Sequence, residues 1–292
     1  MVSTTHHGRM RRLAMLWRIR RILRKGGKAA RKFMPVRSPA SNLIYWAVIG
    51  FLFLPLFVLV FYSFNAGRQA QWQGFSLVWY QRLVMDSPEL WRAFTNSIMI
   101  AGGSALMATA IGTLAAIGTT RYSFRLRSTV ATLSFIPMIL PEIVVGVSLL
   151  VFFAGISLKL GLFTVWIAHT TFNIPYVYLL VSARLEESDP SIIEAAKDLG
   201  ANEMQILFRI ILPMALPGIL SAFLTAVTLS LEDFVITFFV TGPGGTTLPL
   251  YIYSMIRFGV SPVINALSAV MVAGTVLLVY PARNFLKVFA AR

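Results

Sequence analysis

Six stretches of the chain stay apolar on nearly every side for about 17–25 residues, the length of a helix that crosses a hydrocarbon core. They cover 42–64, 94–117, 130–153, 160–181, 216–240 and 263–280. A helix on the surface of a soluble domain would carry a polar face through such runs, and these do not. The pattern predicts an all-α integral membrane protein of six transmembrane helices, each run read as a single helix. Gly, Ala and Ser recur at close spacing from Ala101 to Ala116, which suits tight packing between membrane helices.

Composition agrees with the pattern. Of 292 residues, 57% are hydrophobic and 13% charged, too little polar material to coat soluble domains of this length. There is no cysteine, so disulfide scaffolds, thiolate metal sites and thiol chemistry are excluded. The net charge of +15 is local: residues 1–39 hold 12 Lys and Arg and no acid. Such a tail on a nearly neutral body is no nucleic-acid footprint. The tail is too long and basic for a cleavable signal. With it inside, the inner segments hold 21 basic residues against 5 outside, which predicts both termini in the cytoplasm. The expected layout is a basic cytoplasmic tail at 1–40 and one membrane domain at 41–287. The outer loop at 65–92 carries Trp72, Trp79, Tyr80 and Trp91, fit for an interfacial belt or for an outside partner.

The loop at 186–213, between the fourth and fifth runs, is the most informative segment. Asp189 is a good N-cap, with Pro190 at the first helical position. Ile192, Ile193, Ala195, Ala196 and Leu199 form a helical apolar stripe, and Gly200 supplies a left-handed stop. Asn202 and Gln205 have the spacing of a capping box that starts a second helix. A short helix outside the bilayer with an apolar face asks for a partner.

These residues resemble the EAA motif of binding-protein-dependent ABC importer permeases: Glu194-Ala195-Ala196, Gly200 six residues after Glu194, then Ile210 and Leu212-Pro213. The resemblance implies that the short helix is a coupling helix, with Ile193, Glu194, Ala195, Ala196, Leu199 and Gly200 engaging a cytoplasmic ATPase. Glu194 either fixes the turn or touches the ATPase. It also implies that ATP and its magnesium belong to that partner, and that this chain holds no cofactor. No phosphate-binding Gly-rich loop, metalloprotease motif or nucleophile elbow occurs, so no enzyme and no metal site is predicted.

Three of the 11 acids lie inside predicted spans: Glu142, Glu232 and Asp233. Counted along helices at 1.5 Å per residue, Glu142 and Glu232 lie at similar depths, about 21 and 22 Å from the inner side. No Lys or Arg in these two spans can pair with them. Ionised and facing lipid, three such acids would cost roughly 8–10 kcal/mol. They are therefore expected to face protein or an aqueous path, either partly protonated or neutralised by a cationic substrate. On a continuous helix Glu232 and Asp233 would point about 100° apart. His169 is expected to be a satisfied intramembrane polar group, not a gate.

A second resemblance is narrower. Ser230-Leu231-Glu232-Asp233-Phe234, Phe239 to Pro243, Leu248 to Met255, Trp72 to Phe75 with Trp79-Tyr80, and Gly259 to Pro262 look like the spermidine/putrescine importer permeases of the second-permease type. It implies that Trp79, Glu142, Glu194, Ser230, Glu232 and Asp233 serve polyamine transport, and the chemistry of a polyamine adds Tyr253 to the expected path, since aromatic faces such as Trp79 and Tyr253 can receive ammonium groups. The implied assembly is a pseudo-twofold heterodimer with a second permease, two ABC ATPases, and a soluble binding protein docked on 71–80 and 242–253. The alternatives are an ABC permease for ferric ion, sulfate or an opine, or a proton-driven secondary transporter.

Overall fold

The computed structural model describes residues 39–67, 71–257 and 262–290. Apart from its last two residues, the basic tail lies outside the described residues. Among those described, the secondary structure is helical: α1 Pro39–Tyr62, α2 Val78–Met85, α3 Pro88–Arg121, α4 Arg127–Ile139, α5 Glu142–Gly155, α6 Leu162–Glu186, α7 Ser191–Asp198, α8 Glu203–Ile206, α9 Leu212–Glu232, α10 Val235–Val240, α11 Leu248–Arg257 and α12 Pro262–Ala290. Among the described residues, α1, α3 and the run Glu203–Glu232 are each long and apolar enough to cross a membrane alone. The chain separates into two units, 1–59 and 60–292. In the first, α1 is apolar around its whole circumference and tolerates Pro55 in its interior.

In the second unit α3, α6 and α9 pack on one another. Small side chains make this possible. Ala101, Ala105, Ala108, Gly112 and Ala116 recur along one face of α3 and are buried. A Cβ at Gly112 would sit 2.7 Å from a Val177 methyl and 3.1 Å from the Ile174 carbonyl. Where lipid tails are as apolar as the side chains, such close approach is the main source of helix–helix attraction. Arg121 closes the far end of the α3–α6 pair, its Nη2 donating to the Leu185 carbonyl (2.7 Å) and to Ser188 Oγ (2.6 Å).

Two predicted spans are not single helices. The third divides into α4 and α5, which meet at a bend of 108°. The cause is Pro141: it has no N–H to give, and it pushes Leu140 to an extended ψ of 137°. The fifth stops at Glu232, where Asp233 takes an extended ψ of 124° before α10 begins. The estimate that Glu232 and Asp233 point 100° apart therefore fails, because it requires an unbroken helix. Below α9 the turn Leu207–Ile211 widens to a π-helix, with the Leu212 N–H reaching the Leu207 carbonyl. Pro213 follows, and a proline ring crowds the carbonyl four residues earlier; a wider turn relieves that clash.

A separate cluster caps the other end of the unit. Trp79, Leu83 and Leu90 pack with Leu248, Val263, Ala266 and Leu267. Ser97 Oγ accepts from the Leu248 N–H (2.8 Å) and starts α11, while Asn96 donates to the Thr246 carbonyl (2.9 Å).

Replacing Gly112 by Val should destabilise the detergent-purified protein by about 1–3 kcal/mol, the usual range for an overpacked core. Gly102, with nothing within 4 Å of its added Cβ, is the control. Thermal melts of both variants check this: a lowered midpoint for G112V and little change for G102V are expected.

Candidate functional site

The two interruptions lie side by side. Together they line a cavity of about 540 Å³, within the range of small-molecule sites. Pro137, Leu140, Pro141 and Glu142 contribute from the first break, and Leu229, Glu232, Asp233 and Phe234 from the second. Phe172 and Tyr176 of α6 close one side. Glu142 and Glu232 are exposed to this space, and no Lys or Arg is among the lining residues. The sequence count put these acids at one depth, and the fold brings them to one cavity. Phe172 and Tyr176 escaped sequence reasoning, since α6 carries no mark of which side faces an opening.

Asp233 also borders the cavity, but its carboxylate is buried and committed. Oδ1 accepts from the Ile236 N–H (3.2 Å); Oδ2 accepts from the Thr237 N–H (2.9 Å) and hydroxyl (2.7 Å). It thus caps α10 from the residue that ends α9. His169, fully buried on α6, completes the cluster: Nε2 lies 3.1 Å from Asp233 Oδ2 and 2.9 Å from Thr237 Oγ1, and Nδ1 lies 2.6 Å from Ser230 Oγ. His169 is satisfied as the sequence suggested, and it is the partner of Asp233 that a search for Lys and Arg missed. Ser230 faces this ring, not the cavity. The hydroxyl–imidazole–carboxylate order matches that of hydrolases, but the hydroxyl and the imidazole are buried and do not line the cavity.

The other two residues expected on the path lie elsewhere. Trp79 is 4% exposed in the end cluster, its Nε1 donating to the Asn65 carbonyl (2.7 Å). Its ring already carries a cation, the Arg82 guanidinium 5.0 Å from the centroid. Tyr253 is exposed and packs on Phe234, ring centres 4.5 Å apart. It touches the cavity wall from behind and does not line it.

The connection between α6 and α9 is built from local bonds. Asp189 Oδ1 accepts from the Ser191 N–H (2.9 Å) and so caps α7, with Pro190 standing just before the first helical residue. That backbone bond, then the Ser191 hydroxyl, holds the Asp189 carboxyl below the usual carboxylate range. With the folded value depressed, the cap's contribution is present above that range and fades as pH falls through it. Gly200, at φ +81°, ends the helix. Its N–H donates to the Lys197 carbonyl (2.9 Å), and the Ala201 N–H to the Ala196 carbonyl (3.0 Å), the paired bonds of a Schellman stop. Asn202 and Gln205 exchange side-chain and backbone bonds of 2.8 and 2.9 Å. Ala196 is buried and Ile193 half-buried against the α3–α6–α9 core. Ile192, Ala195 and Leu199 face outward with Glu194; Leu199 is 89% exposed. Beyond the turn, burial and then the neighbouring Glu203 raise the Tyr122 hydroxyl above its ordinary range.

Known proteins resemble this chain in sequence and in fold. The PotC permease of the spermidine/putrescine transport system of Haemophilus influenzae is 42% identical over 239 residues, 82% of this chain and 93% of that one. The PotI permease of the putrescine transport system of Escherichia coli K12 is 41% identical over 249 residues, 82% and 88% of the two chains. A chain of a bacterial alginate ABC transporter, solved in complex with an alginate pentasaccharide-bound periplasmic protein, superposes with a TM-score of 0.64 at 20% identity, over 86% of this chain and 93% of that one. At that identity the likeness speaks for the fold alone. Residues 108–292 match the family described as binding-protein-dependent transport system inner membrane component. With these helices, relatives and match, the chain belongs to that family of inner-membrane transport permeases and is not an enzyme.

Proposed function

We propose that this chain forms one half of the translocation path of an ATP-driven, binding-protein-dependent importer of polyamines such as putrescine and spermidine. The observation that carries the reading is the pair Glu142 and Glu232, exposed to one cavity with no basic residue in its lining. A polyamine brings two or more ammonium groups on a methylene chain. Two carboxylates can take the charges, while Phe172, Tyr176 and Phe234 offer apolar contact and aromatic faces. An anionic cargo would meet repulsion at this point. The names of the relatives at 41–42% identity support the same cargo.

We propose the remaining parts alongside this, in keeping with the family. A second, related permease supplies the other half of the path, and the chain crosses the membrane six times with both termini in the cytoplasm. Two ATPase subunits dock on α7 and its counterpart, meeting Ile192, Glu194, Ala195 and Leu199. Ile193 and Ala196 anchor α7 to the permease core, so a push on the helix is passed on as a rigid-body movement. ATP and its magnesium stay with those subunits. A soluble binding protein delivers cargo to the opposite end, where Trp72, Phe75 and Leu77 are exposed beside the Trp79 cluster.

Two experiments test this, both on the complex purified with its partner chains and placed in liposomes. E142Q and E232Q should each lower radiolabelled putrescine uptake at least about tenfold while leaving assembly intact. Unchanged uptake, or uptake that collapses with an uncoupler while ATP is maintained, overturns the reading. G200V forces a β-branched residue into a left-handed backbone, costing about 1–2 kcal/mol. It should leave the path intact but uncouple cargo-stimulated ATP hydrolysis from uptake; ATP turnover and uptake that fall in parallel would instead mean that the turn does no coupling.

A further inference from the structure

We infer that His169 is a positioning residue for transport: it staples the two sides of the α9–α10 break and thereby aims Glu232 into the cavity, while Asp233 is consumed in that staple instead of meeting the cargo. The inference rests on the proposed cation path and names what holds it open.

The geometry is that of a clamp. One imidazole nitrogen reaches Ser230 in the last turn of α9, and the other reaches Asp233 and Thr237 beyond the break. Only Leu231 and Glu232 lie between the clamped points, and Glu232 is the exposed one. A single arrangement of protons serves every group. Thr237 gives its hydroxyl proton to Asp233, leaving Nε2–H for Asp233 and Thr237, and the Ser230 hydroxyl for Nδ1. Ser104 of α3 stands 3.4 Å behind Ser230 and links the clamp to a third helix. His169 and Phe172 also touch, ring centres 5.3 Å apart, so the residue that sets the break packs on one that walls the cavity. A buried hydrogen-bonded cluster that loses one member leaves the others unsatisfied, at a cost that a broken helix has little means to absorb.

The cysteine-free chain provides the test. A cysteine at 232 in the assembled complex is labelled with a small cationic thiol reagent, and putrescine uptake is measured in the matching variants that retain Glu232. H169A and D233N should each change the labelling rate of E232C at least about fivefold, and H169Q, whose amide can span the same two points, should restore it. Uptake should fall at least about tenfold in H169A and in D233N, with the H169A/D233N pair no worse than the weaker single variant. If E232C labels at its original rate in both variants although uptake falls, Asp233 acts on the cargo directly and the inference fails. It fails equally if the two losses multiply. Should H169A not assemble, D233N and H169Q carry the same comparison. Labelling needs no cargo, so a complex that moves no putrescine sinks the functional reading and leaves this measurement valid.

Discussion

A backbone inside a bilayer has no water to bond, so every N–H and C=O must find a partner within the protein. Continuous helices meet that demand automatically, and a broken helix meets it only by special means. This chain breaks two of its membrane helices at adjacent places and provides separately for each. At the first, Pro141 has no N–H to strand, and α5 restarts directly after it. At the second, Asp233 takes over the N–H groups of Ile236 and Thr237. Both breaks open onto the same cavity, and the acids exposed there sit at their edges.

The need to satisfy the second break accounts for the burial of His169 in α6 and Ser230 in α9. A lone carboxylate at that depth would be costly, and a carboxylate with four donors around it is not. His169, Thr237 and the two backbone N–H groups are those donors. On the proposed function the labour divides accordingly: Asp233 is bonded within the fold, and Glu142 and Glu232, exposed to the cavity, are the acids offered to a cargo. The tight α3–α6 contact at Gly112 holds the helix that carries His169, so packing one turn and more away fixes the register of the cluster.

How much of this was legible in the sequence depended on range. The α7 connection was read almost residue by residue, because its caps and its stop are bonds between residues two to five apart: Asp189 with Ser191, Asn202 with Gln205, Ala201 with Ala196. The first break had a visible cause in Pro141, outweighed by the length of the apolar run. The second had a fainter one: an Asp just before a short apolar segment is a good N-cap, yet the helical count was carried through it. The pairing of Asp233 with His169 spans 64 residues and follows from the register of three helices, which no local pattern encodes. Trp79 looked like an aromatic face for a cation, and its sequence neighbours could not show that Arg82 already occupies it.

The central claim is that two facing helix breaks make one anionic cavity for a cationic cargo. The most direct measurement is a density map of the complete complex, trapped during turnover in saturating spermidine. The account predicts density for an extended chain in this cavity, with ammonium ends in hydrogen-bond reach of the Glu142 and Glu232 carboxylates. Cargo density elsewhere between the two permeases, with both carboxylates free of it, would contradict the account.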